Sequence, residues 1–355
     1  MAETQASSAE FRKYDQVEKG HTYRLAEHSS DAFDQDYEIA TLDIGSFLHG
    51  SADEKARFAD AFASALEEIG FAVLVGHGID PALYDAIDAQ VLELFESTPL
   101  EQKMAFAADR HGSVAQGYFP IEHTSEIHPD LVEGWVFCRR AFDVPQQREH
   151  LFEPADFWPD AAFERQFRRL VLAHERLFKP IAEAMLTGLG CDPHLLDEKL
   201  TGTNFGLRLN YYPAMSEAQD CSGAARLLGH EDVDLFTILP ASRVDGLQVW
   251  NHRSGKWVRL SPPRGSIIIN TGDYMQRITN DRLPSTTHRV GKPSDASHRA
   301  SPRVSFATNV YLWEDELLKV LPGLGTPKYP PVKAIAFHTR STAKFYGDGY
   351  AVEGD

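Results

Sequence analysis

The chain has 355 residues, 43% of them hydrophobic, enough to bury a substantial core as one large domain or as a core with appended helices. Its formal charge of −17, from 52 acidic against 35 basic residues, disfavours nucleic acid and anionic membrane surfaces as partners, because both carry the same sign. No apolar run reaches the roughly 20 residues that span a bilayer, and the opening "MAETQASSAEFRKYDQVEKG" lacks the apolar segment of a secretory signal, so a cytoplasmic protein is expected.

In chain order, residues 1–35 are polar and rich in Ser, Glu and Asp, and are expected to be mobile. "YEIATLDI" alternates like a short strand. "SADEKARFADAFASALEEIG" reads as a helix: Ser51 can cap it, Asp53 and Glu54 sit in its first turn, Phe58, Phe62, Leu66 and Ile69 form one face, and Gly70 stops it. "FAVLVGHGID" follows as a buried strand and turn, and Asp80-Pro81 opens a second helix with Leu83, Ile87, Val91 and Phe95 inward. Residues 105–160 mix Gly, Pro, His and aromatics without a sustained period and are expected to be loops and short strands. A long helix is expected over about 160–189, bent at Pro180.

From about residue 204 the texture changes to short strands punctuated by Gly, Pro and Asp: "FGLRLNYYP", "DLFTILP", "GLQVWN", "GKWVRLSP", "GSIIINTGD", "STTHRV" and "RVSFATNVYL". Many short strands at close spacing indicate a barrel or double-sheet β architecture. The tail after about 320 is Pro-punctuated loop with a short helix, "VKAIAFHTRSTAKFYG". Cys138, Cys191 and Cys221 are odd in number and in no C-x-x-C arrangement, which predicts free thiols rather than disulfides or a cysteine-rich zinc site.

The stretch "LLGHEDVDLFTILP" carries the first sign of chemistry. Positions two apart on a strand share a face, so His230 and Asp232 look one way, while Glu231 turns to the outer face or to solvent. An imidazole and a carboxylate on one face can hold a divalent metal, but a third ligand must come from elsewhere. His252 lies in the turn-like "NHRSGKW" and His298 in the polar "GKPSDASHRASPR", whereas His288 ends a strand-like segment before a turn. Two histidines and one carboxylate on one side of an ion leave positions open opposite them, which suits non-haem Fe(II) and oxygen chemistry. An isolated H-x-D is equally well explained by a surface turn or a satisfied core histidine. The surrounding sequence has to decide.

The blocks "LRLNYYP", "GHEDVDLFTILP", "GLQVWNHRSGKWVRLSPPRGSIIINTGD", "RITNDRLPSTTHRV" and "RVSFATNVYL" together resemble the isopenicillin N synthase-like branch of the Fe(II)/2-oxoglutarate-dependent oxygenases. "ALEEIGFAVLVGHGID" and "LFESTPLEQKMAF" resemble that family's leading region, so the likeness runs from about residue 38. The resemblance implies a mainly β fold with flanking helices around a double-stranded β-helix, or jelly roll. It divides the chain into the polar N-terminus (1–35), an N-terminal α/β and helical region packed on the core (36–200), the jelly-roll core (201–320) and a C-terminal segment (321–355).

Carried over residue by residue, the resemblance implies iron ligands His230, Asp232 and His288. It also implies an R-x-S motif for the far carboxylate of 2-oxoglutarate, a role suited to the fixed donor fork of arginine with a hydroxyl two residues along the strand. Arg303 and Ser305 fit, leading straight into a strand, while Arg299 with Ser301 is the alternative, followed by Pro302. The gap from His288 to Arg303 is a few residues longer than usual in the family. Asn210 and Tyr212 are implied as further contacts to 2-oxoglutarate, with Tyr211 packing on the other face, His77 structural, and Arg208 and Gln248 given no role.

The implied activity is oxidation of a small organic molecule by hydroxylation, desaturation or cyclisation, with Fe(II), O2 and 2-oxoglutarate, release of succinate and CO2, and ascorbate as a reductant. Iron affinity is expected to fall in mild acid as protons compete for the histidines. An iron oxidase of the same fold that does not use 2-oxoglutarate remains an alternative, and a non-catalytic jelly-roll binding protein another. Substrate contacts are sought in "GYFPIEHTSEIHPDLVEGWVFCRR", where Tyr118, His123, Arg139 and Arg140 are either substrate contacts or solvated loop residues, and in "FHTRSTAKFYG".

Overall fold

The computed structural model describes residues 27, 30–121, 131–147, 153–214, 226–293, 295–346 and 351–352. His123 and Cys221 lie outside the described residues, as does the chain up to residue 26. Strand β1 (Thr41–Asp43) and the short helix α1 (Gly45–His49) lead into α2 (Ala52–Ile69). That helix begins on a complete capping box: Ser51 Oγ accepts from Glu54 N, and the Glu54 carboxylate accepts from Ser51 N. Gly70 ends it in the left-handed region, φ 73°, and turns the chain into β2 (Phe71–Val75).

Asp80 caps α3 (Pro81–Ser97), and α4 (Leu100–Met104) follows. Three strands occupy the stretch without sequence periodicity: β3 (Asp109–His111), β4 (Val114–Phe119) and β5 (Glu133–Cys138). Helix α5 (Ala161–Gly188) runs unbroken through Pro180. Leu177, Phe178, Ile181 and Met185, buried on both sides of that proline, hold the turn that lacks its N–H.

The remaining strands are β6 (Phe205–Tyr212), β7 (Leu227–His230), β8 (Phe236–Pro240), β9 (Leu247–Asn251), β10 (Lys256–Arg259), β11 (Ile267–Thr271), β12 (His288–Val290), β13 (Arg303–Val310), β14 (Leu317–Leu318) and β15 (Val332–Lys333). Helix α6 (Asp273–Ile278) precedes β12, and α7 (Ala334–Tyr346) follows β15.

The strands form a nine-stranded sheet in the order β1-β2-β11-β8-β13-β6-β5-β4-β3 and a four-stranded sheet in the order β10-β9-β12-β7. These are the two facing sheets of a jelly roll with flanking helices. The centre of the large sheet, β11-β8-β13-β6, comes from the C-terminal half, while β1 and β2 extend one edge and β5, β4 and β3 the other. Helices α2, α3 and α5 cover its outer face with Phe58, Phe62, Leu66, Phe167, Leu170 and Ile181. Residues 31–34 pair along the edge strand β10 of the small sheet: Trp257 N donates to Ala32 O, Asp34 N donates to Trp257 O, and Arg289 donates to Asp31.

Candidate metal centre

His230 ends β7, Asp232 lies two residues on, and His288 opens β12. The antiparallel register sets His230 and His288 directly opposite each other, with ring centroids 4.3 Å apart. Asp232 Oδ1 stands 3.7 Å from His230 Nε2 and 3.9 Å from His288 Nε2, and the three ligand atoms all fall within 4.8 Å of one another.

Backbone carbonyls choose the tautomers. His230 Nδ1 meets Leu228 O at 2.8 Å and His288 Nδ1 meets Thr286 O at 3.1 Å, contacts that require the proton on Nδ1 and leave each Nε2 lone pair facing Asp232. Asp232 Oδ2 accepts from Thr237 Oγ1 at 2.6 Å and from Asn270 Nδ2 at 2.8 Å, so Oδ1 remains for a cation. Phe71 packs edge-on against the His288 ring.

The electrostatics prepare the same state. Burial, reinforced by the neighbouring His288, pushes His230 down to about 4, so its imidazole is neutral and able to ligate at neutral pH. Burial alone would raise the Asp232 carboxyl, but the imidazoles of His288 and His230 and the hydrogen bonds from Thr237 and Asn270 overcome it and hold the group below its ordinary range. Asp234 goes the other way, pushed well up by burial and by the charge of Asp232. The hydrogen count agrees. Thr237 Oγ1 lies 2.6 Å from Asp232 Oδ2 and 2.7 Å from Asp234 Oδ2, and its single proton can serve only one carboxylate. A proton on Asp234 closes the second contact. Asn309 Nδ2 completes the network by donating to Asp234 Oδ2 and to Thr237 Oγ1, both at 2.8 Å.

A second set of side chains lines the same cavity from the large sheet. In the β6–β13 pair Arg303 stands opposite Tyr212, Ser305 opposite Asn210 and Ala307 opposite Arg208, which puts each pair on one face. The Arg303 guanidinium lies over the Tyr212 ring, 4.9 Å from its centroid, and Nε donates to Val244 O at 3.1 Å. Arg303 Nη1 and Tyr212 OH are buried without a hydrogen-bond partner among the described residues. Two buried donors of this kind are costly unless an acceptor arrives. Arg299 sits in the single-turn helix Ala296–Ala300 and does not line the cavity.

Sequence reasoning passed over several residues here. Thr237, Asn270 and Asn309 hold Asp232 or its neighbour Asp234, and no local motif marks them, because cross-strand register brings them together. Arg226 is buried close to Arg303, with Nη2 donating to Ser301 O and with Nε and Nη1 without a partner among the described residues. Burial and the charge of Arg303 pull its pKa down to about 10. His338 and Thr342, from the tail segment "FHTRSTAKFYG", line the cavity through α7.

Other expectations are corrected. Of the two expectations for Glu231, solvent is overturned and a contact is found: the side chain is buried and accepts from Thr287 Oγ1 at 3.0 Å. Arg139 does not reach the cavity, because its buried guanidinium is engaged by Glu175, Thr203 O and Pro145 O. Tyr118 is buried and donates to Glu133. Arg140 lies over the Phe157 ring rather than in the cavity. His252 is exposed in its turn, and His298 lies near Asp245, away from the metal ligands.

A family model described as the 2OG-Fe(II) oxygenase superfamily matches residues 203–309, and one described as non-haem dioxygenase in morphine synthesis N-terminal matches residues 39–161. Among curated relatives, the 2-oxoglutarate-Fe(II) type oxidoreductase ppzD of Metarhizium rileyi is 27% identical over 331 residues, which cover 87% of this chain and 92% of that protein. The 2-oxoglutarate-dependent dioxygenase citB of Monascus ruber is 29% identical over 272 residues, covering 71% of this chain and 79% of its own. A full-length Neurospora crassa protein, solved in complex with alpha-KG, shares the fold with a TM-score of 0.76 at 23% identity, covering 89% of this chain and 100% of that one. A structure described as a 2OG-Fe(II) oxygenase family protein, from Caulobacter crescentus, gives 0.70 at 28% identity, covering 88% and 98%.

Proposed function

The chain belongs to the 2OG-Fe(II) oxygenase superfamily and is a 2-oxoglutarate-Fe(II) dioxygenase acting on a small molecule, and from that premise we propose that His230, Asp232 and His288 hold the iron while Arg303, Ser305, Tyr212 and Asn210 bind 2-oxoglutarate. The observation that carries this reading is the convergence of Asp232 Oδ1 and two carbonyl-locked imidazoles on one point, facing a buried Arg303 Nη1 and Tyr212 hydroxyl that have no partner among the described residues. Two imidazoles and one carboxylate oxygen, all on one side, suit Fe(II) with open coordination positions, and the orphaned donors suit a carboxylate. No helix among the described residues is long and apolar enough to cross a membrane.

Iron, 2-oxoglutarate and O2 together supply the oxidising chemistry, with 2-oxoglutarate leaving as succinate and CO2 while a substrate C–H bond is oxidised. The residues of the chain supply position. Leu228 O and Thr286 O fix the imidazole tautomers, and Thr237 and Asn270 occupy Asp232 Oδ2 and so present only Oδ1. The protonated Asp234 adds no second negative charge behind Asp232, keeping the site's charge low. Arg303 and Tyr212 hold the far carboxylate of the co-substrate at a fixed place in the barrel, which sets the direction of its keto end. Phe71 shields the His288 edge from water.

The test is a screen of small organic compounds with Fe(II), ascorbate and 2-oxoglutarate, read by succinate formed in proportion to substrate consumed. Substrate oxidation that proceeds equally without 2-oxoglutarate would instead assign the chain to the iron oxidases of the same fold.

A further inference from the structure

Arg208 is the one arginine lining the metal cavity that the proposed function leaves unused. It projects from β6 into the cavity beside Ala307 and Val136, its strand neighbours on either side, both small enough to leave room around it. Its Nε donates to Asn210 Oδ1 at 3.0 Å. Among the described residues no carboxylate forms an ion pair with it, and its two terminal amino groups have no protein acceptor. A half-buried guanidinium with one face tied down and its donor fork open into a cavity is prepared for a planar anion.

A count of charges leads to the same place. The two positive charges of ferrous iron and the one on Arg303 are matched by Asp232 and by the two carboxylates of 2-oxoglutarate. Asp234 is held by Thr237 and Asn309, the Glu231 carboxylate accepts from Thr287 Oγ1, and His338 is kept neutral by burial with a pKa of about 4, so none of the three is engaged with Arg208. Arg208 has no carboxylate partner among the described residues, and a half-buried cation facing a cavity is best satisfied by an anion. Phe71, Val114, Phe119, Val136 and Leu239 give the wall apolar surface, beside the polar Tyr311, His338 and Thr342. Resting on the reading of this site as an Fe(II)/2-oxoglutarate centre, we infer that the substrate is a small, largely apolar molecule bearing a carboxylate, which Arg208 binds while the apolar wall holds the body.

Arg208 is rooted four residues along β6 from Tyr212, about 13 Å at the usual strand rise, so its backbone stands apart from the Arg303–Tyr212 pair that takes the far end of 2-oxoglutarate, with Asn210 between them. Selectivity for an acid over its uncharged isostere follows, since the amide of the same shape leaves the guanidinium unpaired.

The inference is tested on the full chain, loaded anaerobically with Fe(II) and saturating 2-oxoglutarate, by titrating benzoate and its isostere benzamide and following heat and the metal-centred charge-transfer absorption. Benzoate is expected to bind at least about tenfold more tightly than benzamide, Arg208→Gln to erase that preference, and Arg208→Lys to keep part of it. Because Arg208 also donates to Asn210 Oδ1, the affinity for 2-oxoglutarate should fall by no more than about fivefold in either variant, well short of the loss expected for Arg303→Gln. Equal binding of acid and amide, no benzoate binding at tens of millimolar, or an acid preference that survives Arg208→Gln overturns the inference. So does a loss of 2-oxoglutarate affinity in Arg208→Gln as large as that in Arg303→Gln, which would make Arg208 a co-substrate residue. Failure of the unmodified chain to bind 2-oxoglutarate at all would instead refute the proposed function, and this inference with it.

Discussion

His230 and His288 face each other across the β7–β12 pair, and each turns its Nδ1 onto the carbonyl oxygen two residues before it. A strand that reverses direction between partners brings the two imidazoles to the same height, and the backbone, rather than a second side chain, sets their protonation. The carboxylate is oriented differently, by the side chains of Thr237 and Asn270, so it is the ligand whose support can be removed by mutation.

Thr237→Val therefore keeps the shape of the strand but removes the hydroxyl that occupies Asp232 Oδ2. Fe(II) affinity, measured by anaerobic titration calorimetry, is expected to fall by about tenfold or more, with the fold intact by circular dichroism. Unchanged affinity would mean that Asn270 alone orients the carboxylate.

Arg303→Gln removes the buried fork that faces Tyr212, and 2-oxoglutarate affinity should fall by on the order of 30-fold or more. Arg299→Gln, changed outside the cavity, should leave it within about twofold. The reverse pattern would identify Arg299 as the anchor.

Gly70 links stability to the metal centre. A Cβ at this position, where φ is 73°, would lie 2.5 Å from Pro284 O and 2.8 Å from Thr286 Oγ1, against the segment whose carbonyl holds His288. Gly70→Ala should cost more than about 1 kcal/mol in urea denaturation and should also weaken Fe(II) binding. A variant as stable as the parent would contradict the packing described.

His174 gives the fold an acid limit independent of the metal ligands. It is fully buried between Tyr84 OH and Thr308 Oγ1, and burial pushes its pKa down to about 3. Because the folded value lies below the ordinary one, the stabilisation is complete above about pH 6.5 and is lost progressively as pH falls from there towards 3. At pH 5 the loss is about 2 kcal/mol. The stability advantage of the parent over His174→Gln should therefore shrink between pH 7 and pH 5, and an advantage constant with pH would contradict the assignment.

Much of this was legible in the sequence because it is local. The Ser51 cap, the Gly70 stop, the Asp80-Pro81 start and the H-x-D alternation each lie within a few residues, where period and capping chemistry suffice. Local texture favoured His288 but only the resemblance assigned it, because its approach to His230 depends on register between strands separated by β8 to β11 and α6. Thr237, Asn270, Asn309 and Arg226 carry no motif of their own and acquire meaning only from what lies across the sheet. The sequence leaves Glu231 open between a contact and solvent for a related reason. Alternation placed it correctly on the far face of β7, but that face belongs to a packed layer in which Thr287 supplies its hydrogen bond. Strands β3, β4 and β5 showed no period because they extend a large sheet whose neighbouring strand, β6, lies far along the chain.

The most direct measurement is anaerobic Fe(II) titration of the full chain beside His230→Ala, Asp232→Ala and His288→Ala. One ferrous ion per chain is predicted for the parent, with affinity lowered by on the order of 100-fold or more in each variant while the fold is retained. Parent-like iron affinity in any one of the three would contradict the ligand set from which the rest is built.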